Sequence, residues 1–98
     1  MNMQQMIIQA QKIQRELQKQ KAELGEKEFT VSKGGAVTVV VKGNKTIKSV
    51  SIDKDAFDAD NKDMVEELVA LAINEAIEQI TKAEEEINSK VTGAPGLF

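Results

Sequence analysis

One stretch leaves this chain little choice of architecture: Ala36-Val37-Thr38-Val39-Val40-Val41-Lys42, set between Gly34-Gly35 and Gly43-Asn44. A run of β-branched residues is stiff at χ1 and suits a pleated, half-buried surface better than a helix. Paired turn residues on either side mark the hairpins. Val37, Val39 and Val41 fall on one face, and Thr38, Val40 and Lys42 on the other. Phe29 and Val31 alternate before the first turn, and Thr46–Ile52 follows the second. The expectation is a three-stranded antiparallel meander over residues 27–52, with one strongly apolar face to cover.

The flanking segments have helical periods. Met3, Met6, Ala10, Ile13, Leu17 and Leu24 repeat at alternating three and four, with only Gln20 polar in the series. That pattern predicts a helix over residues 2–24 with a coiled-coil-like seam, roughly 33 Å long at about 1.5 Å per residue. Gly25 is the expected stop. An acidic loop over residues 53–60 leads to a second helix over 61–91, with Asp60 or Asn61 as its cap. That helix is apolar over a broad arc at first: Met64, Val65, Leu68, Val69, Leu71, Ala72 and Ile73. It then narrows to Ala76, Ile77, Ile80, Ala83 and Ile87. A wide face suits a sheet and a narrow seam suits another helix, so the helix should lie on the sheet first and then project beyond it. Residues 92–98, with Gly93, Pro95 and Gly96, read as a flexible tail. The fold class is α+β in a single domain over residues 1–98: long helix, meander, long helix. Exposed strand edges and half-covered seams are commonly buried by a second copy, so a homodimer is expected.

Composition narrows the function. The chain has no His, Cys, Trp or Tyr. Without His or Cys, the Ser–His and Cys–His nucleophilic pairs and the common zinc sites are excluded. A hydrolase built on carboxylates would have only their abundance to recommend it, so no enzyme activity and no cofactor is expected. No apolar run approaches membrane-spanning length, and residues 1–20 are too polar for a secretory signal, so the expected address is the cytoplasm, with no membrane partner and no small-molecule substrate.

Charge is strongly polarised. Residues 1–48 hold nine Lys/Arg against four Asp/Glu, and residues 49–98 hold four Lys against twelve Asp/Glu. With Met3, Ala10 and Leu17 at heptad position a, Lys12, Arg15 and Lys19 fall at c, f and c, a stripe away from the seam, and Lys21 flanks it at e. Such a stripe can follow phosphates; it is also what a solvated helix face looks like. Three Phe and no other aromatic argue against a stacking platform for single strands. The Asp run from Asp53 to Asp63 lacks the Gly and Glu that an EF-hand loop requires in either register, so it reads as a solvated connection. The Glu residues of the second helix lack the His partners of a carboxylate di-metal site.

Taken together, the segments MQQMIIQAQKIQRELQKQKAEL, GGAVTVVVKGNKTIKSVSID, DADNKDMVEELVALAINEAIEQI and VTGAPGLF resemble the YbaB/EbfC family of nucleoid-associated proteins, over essentially the whole chain. The resemblance implies a homodimer joined through its strands, with paired helices projecting as arms, and double-stranded DNA bound between or along them at the nucleoid. Five Glu beyond Ile73, against Lys82 and Lys90, would repel phosphate along the second helix. DNA contacts should therefore come from Lys12, Arg15, Lys19 and Lys21, weakly and without strong base preference. The competing expectation is a non-enzymatic interaction module whose acidic second helix docks a replication or repair protein.

Overall fold

A computed structural model describes residues 2–92. Helix α1 (Met3–Glu26) is followed by strands β1 (Glu28–Lys33), β2 (Val37–Lys42) and β3 (Ile47–Ile52), a short 3-10 turn at Ala59–Asn61, and helix α2 (Lys62–Thr92). The strands form one antiparallel sheet in the order β1-β2-β3. This is the expected α+β arrangement. Helix α2 includes Thr92, and the rest of the expected tail, residues 93–98, lies outside the described residues.

The two turns differ in kind. Gly34 and Gly35 both adopt positive φ, 59° and 65°, and Ala36 N–H bonds back to Lys33 O at 3.1 Å. Positive φ at both central positions is the twist-matched hairpin turn that favours glycine. At the second turn the positive φ, 70°, falls on Lys45, while Asn44 Oδ1 accepts from Thr46 N–H at 3.0 Å. Gly43 is required for another reason: a Cβ there would stand 1.9 Å from the Leu24 carbonyl oxygen. Gly25, the expected stop of α1, lies inside the helix and is buried; the chain leaves the helix only at Lys27, whose N–H bonds Leu24 O at 3.0 Å. The Gly25 carbonyl instead accepts from Asn44 N–H at 3.3 Å, tying α1 to the second turn.

Strand β3 departs from strict alternation. Val37 stands opposite Ile52 and Val39 opposite Val50, but Val41 stands opposite Ile47 because the register shifts between Val40 and Val41. A bulge adds one residue to one strand and re-aims the side chains beyond it. Here it keeps Ile47 in line with Val50 and Ile52 on the Val37–Val39–Val41 face.

That face carries the core. Val31, Val37, Val39 and Val41 are buried under Val65, Ala72, Ala76 and Ile80 of α2, with Phe29, Leu68, Val69 and Ile73 packed around them. Fully burying one such aliphatic side chain contributes about 1.5–3 kcal/mol. The opposite face of the sheet is largely hydroxylic, and Ser32 Oγ and Thr38 Oγ1 share a hydrogen bond at 2.9 Å. Half-buried Val40 is the apolar exception there on β2, too little apolar surface to call for a third layer. Helix α2 packs over β1 and β2, and all six residues of β3 remain exposed.

Beyond the sheet, α2 meets α1 rather than projecting alone. The helices run antiparallel, with Gln20 and Leu24 facing Ala83 and Ile87. The narrow seam of α2 and the heptad seam of α1 thus cover one another, and the molecule extends to 69 × 22 × 14 Å.

The acidic connection is held by its own backbone. Asp53 Oδ2 accepts from Asp55 N–H at 3.1 Å, and Asp58 Oδ1 accepts from Asp60 N–H at 2.9 Å. Asp58 therefore caps the 3-10 turn. Asp60 and Asn61, the expected caps of α2, lie within that turn, and Asn61 Nδ2 donates to Ala56 O at 3.2 Å.

Candidate nucleic-acid interface

Lys12, Arg15, Lys19 and Lys21 are all exposed on α1. The helix is capped where it begins, Asn2 Oδ1 accepting from Gln5 N–H at 2.8 Å, and held to the body where it ends, at buried Leu24. Because Ile13, Leu17, Gln20 and Leu24 face α2, the rotation of α1 is set, and with it the direction of each basic side chain.

The four cations are not equivalent. Lys12, Arg15 and Lys19 line a shallow groove between the helices together with Ile13, Glu16, Gln20, Lys90 and Val91. Lys21, at heptad position e, lies outside this group. Lys90, which the sequence offered only as a counterweight to nearby Glu residues, joins the α1 cations from the last turn of α2. A cation there also faces the negative end of the helix dipole. The one sequence signal for it is that Ile87 and Val91 continue the α2 seam, which places Lys90 beside the helix contact.

Carboxylates occur in the same region. Glu16 lines the groove and accepts from Gln20 Nε2 at 2.9 Å. On α2, Glu75 and Glu84 are turned toward the body, bonding Lys33 at 3.1 Å and Lys45 at 3.6 Å. Two of the five Glu beyond Ile73 are thereby neutralised locally.

Ion pairing divides the molecule. Lys33, Lys42, Lys45, Lys48 and Lys62 each pair with a carboxylate. Among the described residues, Lys12, Arg15, Lys19, Lys21, Lys82 and Lys90 of the helical arm have no such partner, nor do Lys27 and Lys54 of the body; Arg15 Nε donates only to Gln11 O, at 3.4 Å. The body's cations are largely engaged with its own acids, while those of the helical arm face solvent.

No helix of the described residues is long and apolar enough to cross a membrane. A three-stranded base bearing an antiparallel two-helix arm, with unpaired cations along that arm, defines a small helix–sheet–helix binding protein. The chain belongs to the YbaB/EbfC DNA-binding family, whose model matches residues 1–95. This is not a known enzyme family. Its relatives include a nucleoid-associated protein of Clostridium novyi, 43% identical over 104 residues, covering 100% of this chain and 90% of the relative. Another, from Acetivibrio thermocellus, is 39% identical over 102 residues, covering 99% and 90%. A third, from Saccharopolyspora erythraea, is 43% identical over 96 residues, covering 97% and 83%. The resemblance drawn from the four sequence segments is thus confirmed across the chain.

Proposed function

We propose that the protein is a nucleoid-associated homodimer that binds duplex DNA with little sequence preference, through Lys12, Arg15, Lys19 and Lys21 of α1 joined by Lys90 of α2. The observation that carries this reading is the partition of ion pairs: these five cations of the arm have no internal carboxylate partner to give up on meeting a phosphate. Contacts of this kind position a protein on the backbone and carry no base information themselves. Family membership and the nucleoid-associated relatives support the same reading, including its location at the nucleoid.

The homodimer reading is supported by β3. Val50 and Ile52, 43% and 37% exposed, share the face of the sheet that α2 covers elsewhere. On the β3 side of α2, Ile77 is exposed too, at 38%. An open strand edge beside an uncovered apolar strip is the kind of surface a second copy closes with its own β3.

The test is a titration of duplex DNA with the purified protein at several salt concentrations. Each neutralised phosphate contributes about 0.9 to the slope of log K against log salt. The Lys12→Gln, Arg15→Gln, Lys19→Gln triple variant should weaken binding on arbitrary sequences and flatten that slope by roughly 2–3 for one engaged arm. Unchanged affinity and slope would remove the stripe from the interface. No binding by the parent even at low salt would favour the alternative, a protein partner docked on the exposed acidic face of α2.

A further inference from the structure

The line of α1 that carries the cations does not begin at Lys12. Gln5, Ile8, Lys12, Arg15 and Lys19 follow one another at alternating spacings of three and four, so they share one face of the helix, away from the seam. Cations hold the inner turns of this face, and an amide and an apolar side chain hold the outer ones. No acid interrupts it, because the first carboxylate in the chain is Glu16. Asn2 caps the helix through the Gln5 backbone N–H, which leaves the exposed Gln5 side-chain amide to bond elsewhere.

The change in chemistry coincides with a change in width. Lys90 and Val91, near the end of α2 as described, share a groove with Lys12 and Ile13. Every residue from Asn2 to Lys12 is exposed, whereas Ile13, Leu17 and Gln20 are half-buried and Leu24 is buried. Two helices with axes about 8–10 Å apart are too broad for a DNA major groove, which is about 12 Å wide and admits one helix. The exposed outer turns of α1 have the width that fits.

We propose that the tip of α1 enters the major groove of duplex DNA and reads A·T pairs there. The Gln5 side-chain amide bonds adenine N6 and N7, and Ile8 packs on a thymine methyl; these are the partners that suit a Gln amide and an apolar side chain in that groove. The inference rests on the duplex-binding reading above and adds a base preference to it. From Gln5 to Lys12 the helix rises about 10 Å, comparable with a groove depth of about 8.5 Å. A helix entering tip first therefore has Gln5 near the base edges while Lys12, Arg15 and Lys19 stay level with the phosphates at the rim. The first turn of α1 carries no acidic residue, so the positive end of the helix dipole meets the groove unopposed.

Base analogues altered only in the major groove supply the test. Short A·T and G·C duplexes are titrated with the full chain by fluorescence anisotropy at several salt concentrations. The A·T duplex should bind about five- to tenfold tighter. Exchanging adenine for 7-deazaadenine, which lacks the N7 acceptor, or thymine for uracil, which lacks the methyl, should each reduce that margin. Gln5→Ala should abolish the sensitivity to 7-deazaadenine, and Ile8→Ala the sensitivity to uracil, with the parental salt slope kept in both. Gln14→Ala, exposed on another face of α1, should change neither. Equal affinity for the two duplexes with a normal salt slope would overturn the base reading and leave the phosphate contacts standing. An A·T preference blind to both analogues would also overturn it, by assigning the preference to DNA shape or the minor groove. Absence of salt-dependent binding would remove this inference and the duplex-binding reading together.

Discussion

Gly43 passes so close to Leu24 that a single added carbon would collide with the Leu24 carbonyl, 1.9 Å from it. The root of the arm is thus set by backbone meeting backbone, where no side chain can swing aside. Gly43→Ala should lower stability by about 1–3 kcal/mol or more, as overpacking does, measured by denaturant unfolding. Gly25→Ala is the contrasting case: its Cβ would meet Asn44 Cβ at an ordinary 3.5 Å, inside a helix. It should be tolerated, with a gain of up to about 0.5–1 kcal/mol from helix propensity. Equal losses at both positions would contradict the close-approach argument.

Ile80 is the largest fully buried side chain and sits where α2 leaves the sheet for α1. Ile80→Ala should cost about 2–5 kcal/mol, from lost burial plus the cavity left behind. Thermal or chemical unfolding checks this. A loss below about 1 kcal/mol would mean that the site collapses around the gap.

If β3 joins two copies, charge placed on its apolar face should separate them. Val50→Lys with Ile52→Lys is expected to halve the mass seen by sedimentation velocity while circular dichroism keeps its helical and strand content. Both positions are exposed within one chain, so folding of the protomer has little reason to fail. A variant sedimenting as the parent does would remove β3 from the interface.

Lys90 tests whether the second helix takes part in binding. Lys90→Gln should weaken duplex binding uniformly across sequences and lower the salt slope by about 1. Lys62→Gln, at the other end of α2 and paired with Glu66 at 2.8 Å, should leave the slope where it was. Identical effects from the two substitutions would indicate general charge attraction rather than a located groove.

The elements themselves are legible in the residues, because each stretch follows one period: three-and-four in the helices, two in β2. The β3 bulge has a sequence signal too, since the spacing Ile47-x-x-Val50-x-Ile52 breaks alternation by one residue, but a meander drawn from turn residues alone passes over it. Gly25 and Gly43 cannot be told apart by local rules. A glycine after a helical pattern looks like a stop, and only the meeting of α1 with the β2–β3 turn shows which glycine is sterically required. Lys12, Arg15 and Lys19 can be placed on one helix by spacing alone. Adding Lys90 requires knowing that α2 runs antiparallel beside them, since Lys90 lies 71 positions after Lys19. The expected helix cap fails for a similar reason: Asp58 inserts a 3-10 turn, and Asn61 is drawn back to Ala56.

Helix α1 is in effect a cantilever, clamped at Leu24 and braced by α2 as far as Ile13. A beam supported in this way flexes least within its braced span, and Lys12, Arg15 and Lys19 sit along or at the edge of that span rather than out at Met3. On the proposed reading, a phosphate backbone would meet these charges as a stiff rail whose spacing is set before contact. Whatever compliance the arm has is left to the uncharged stretch from Met3 to Gln11.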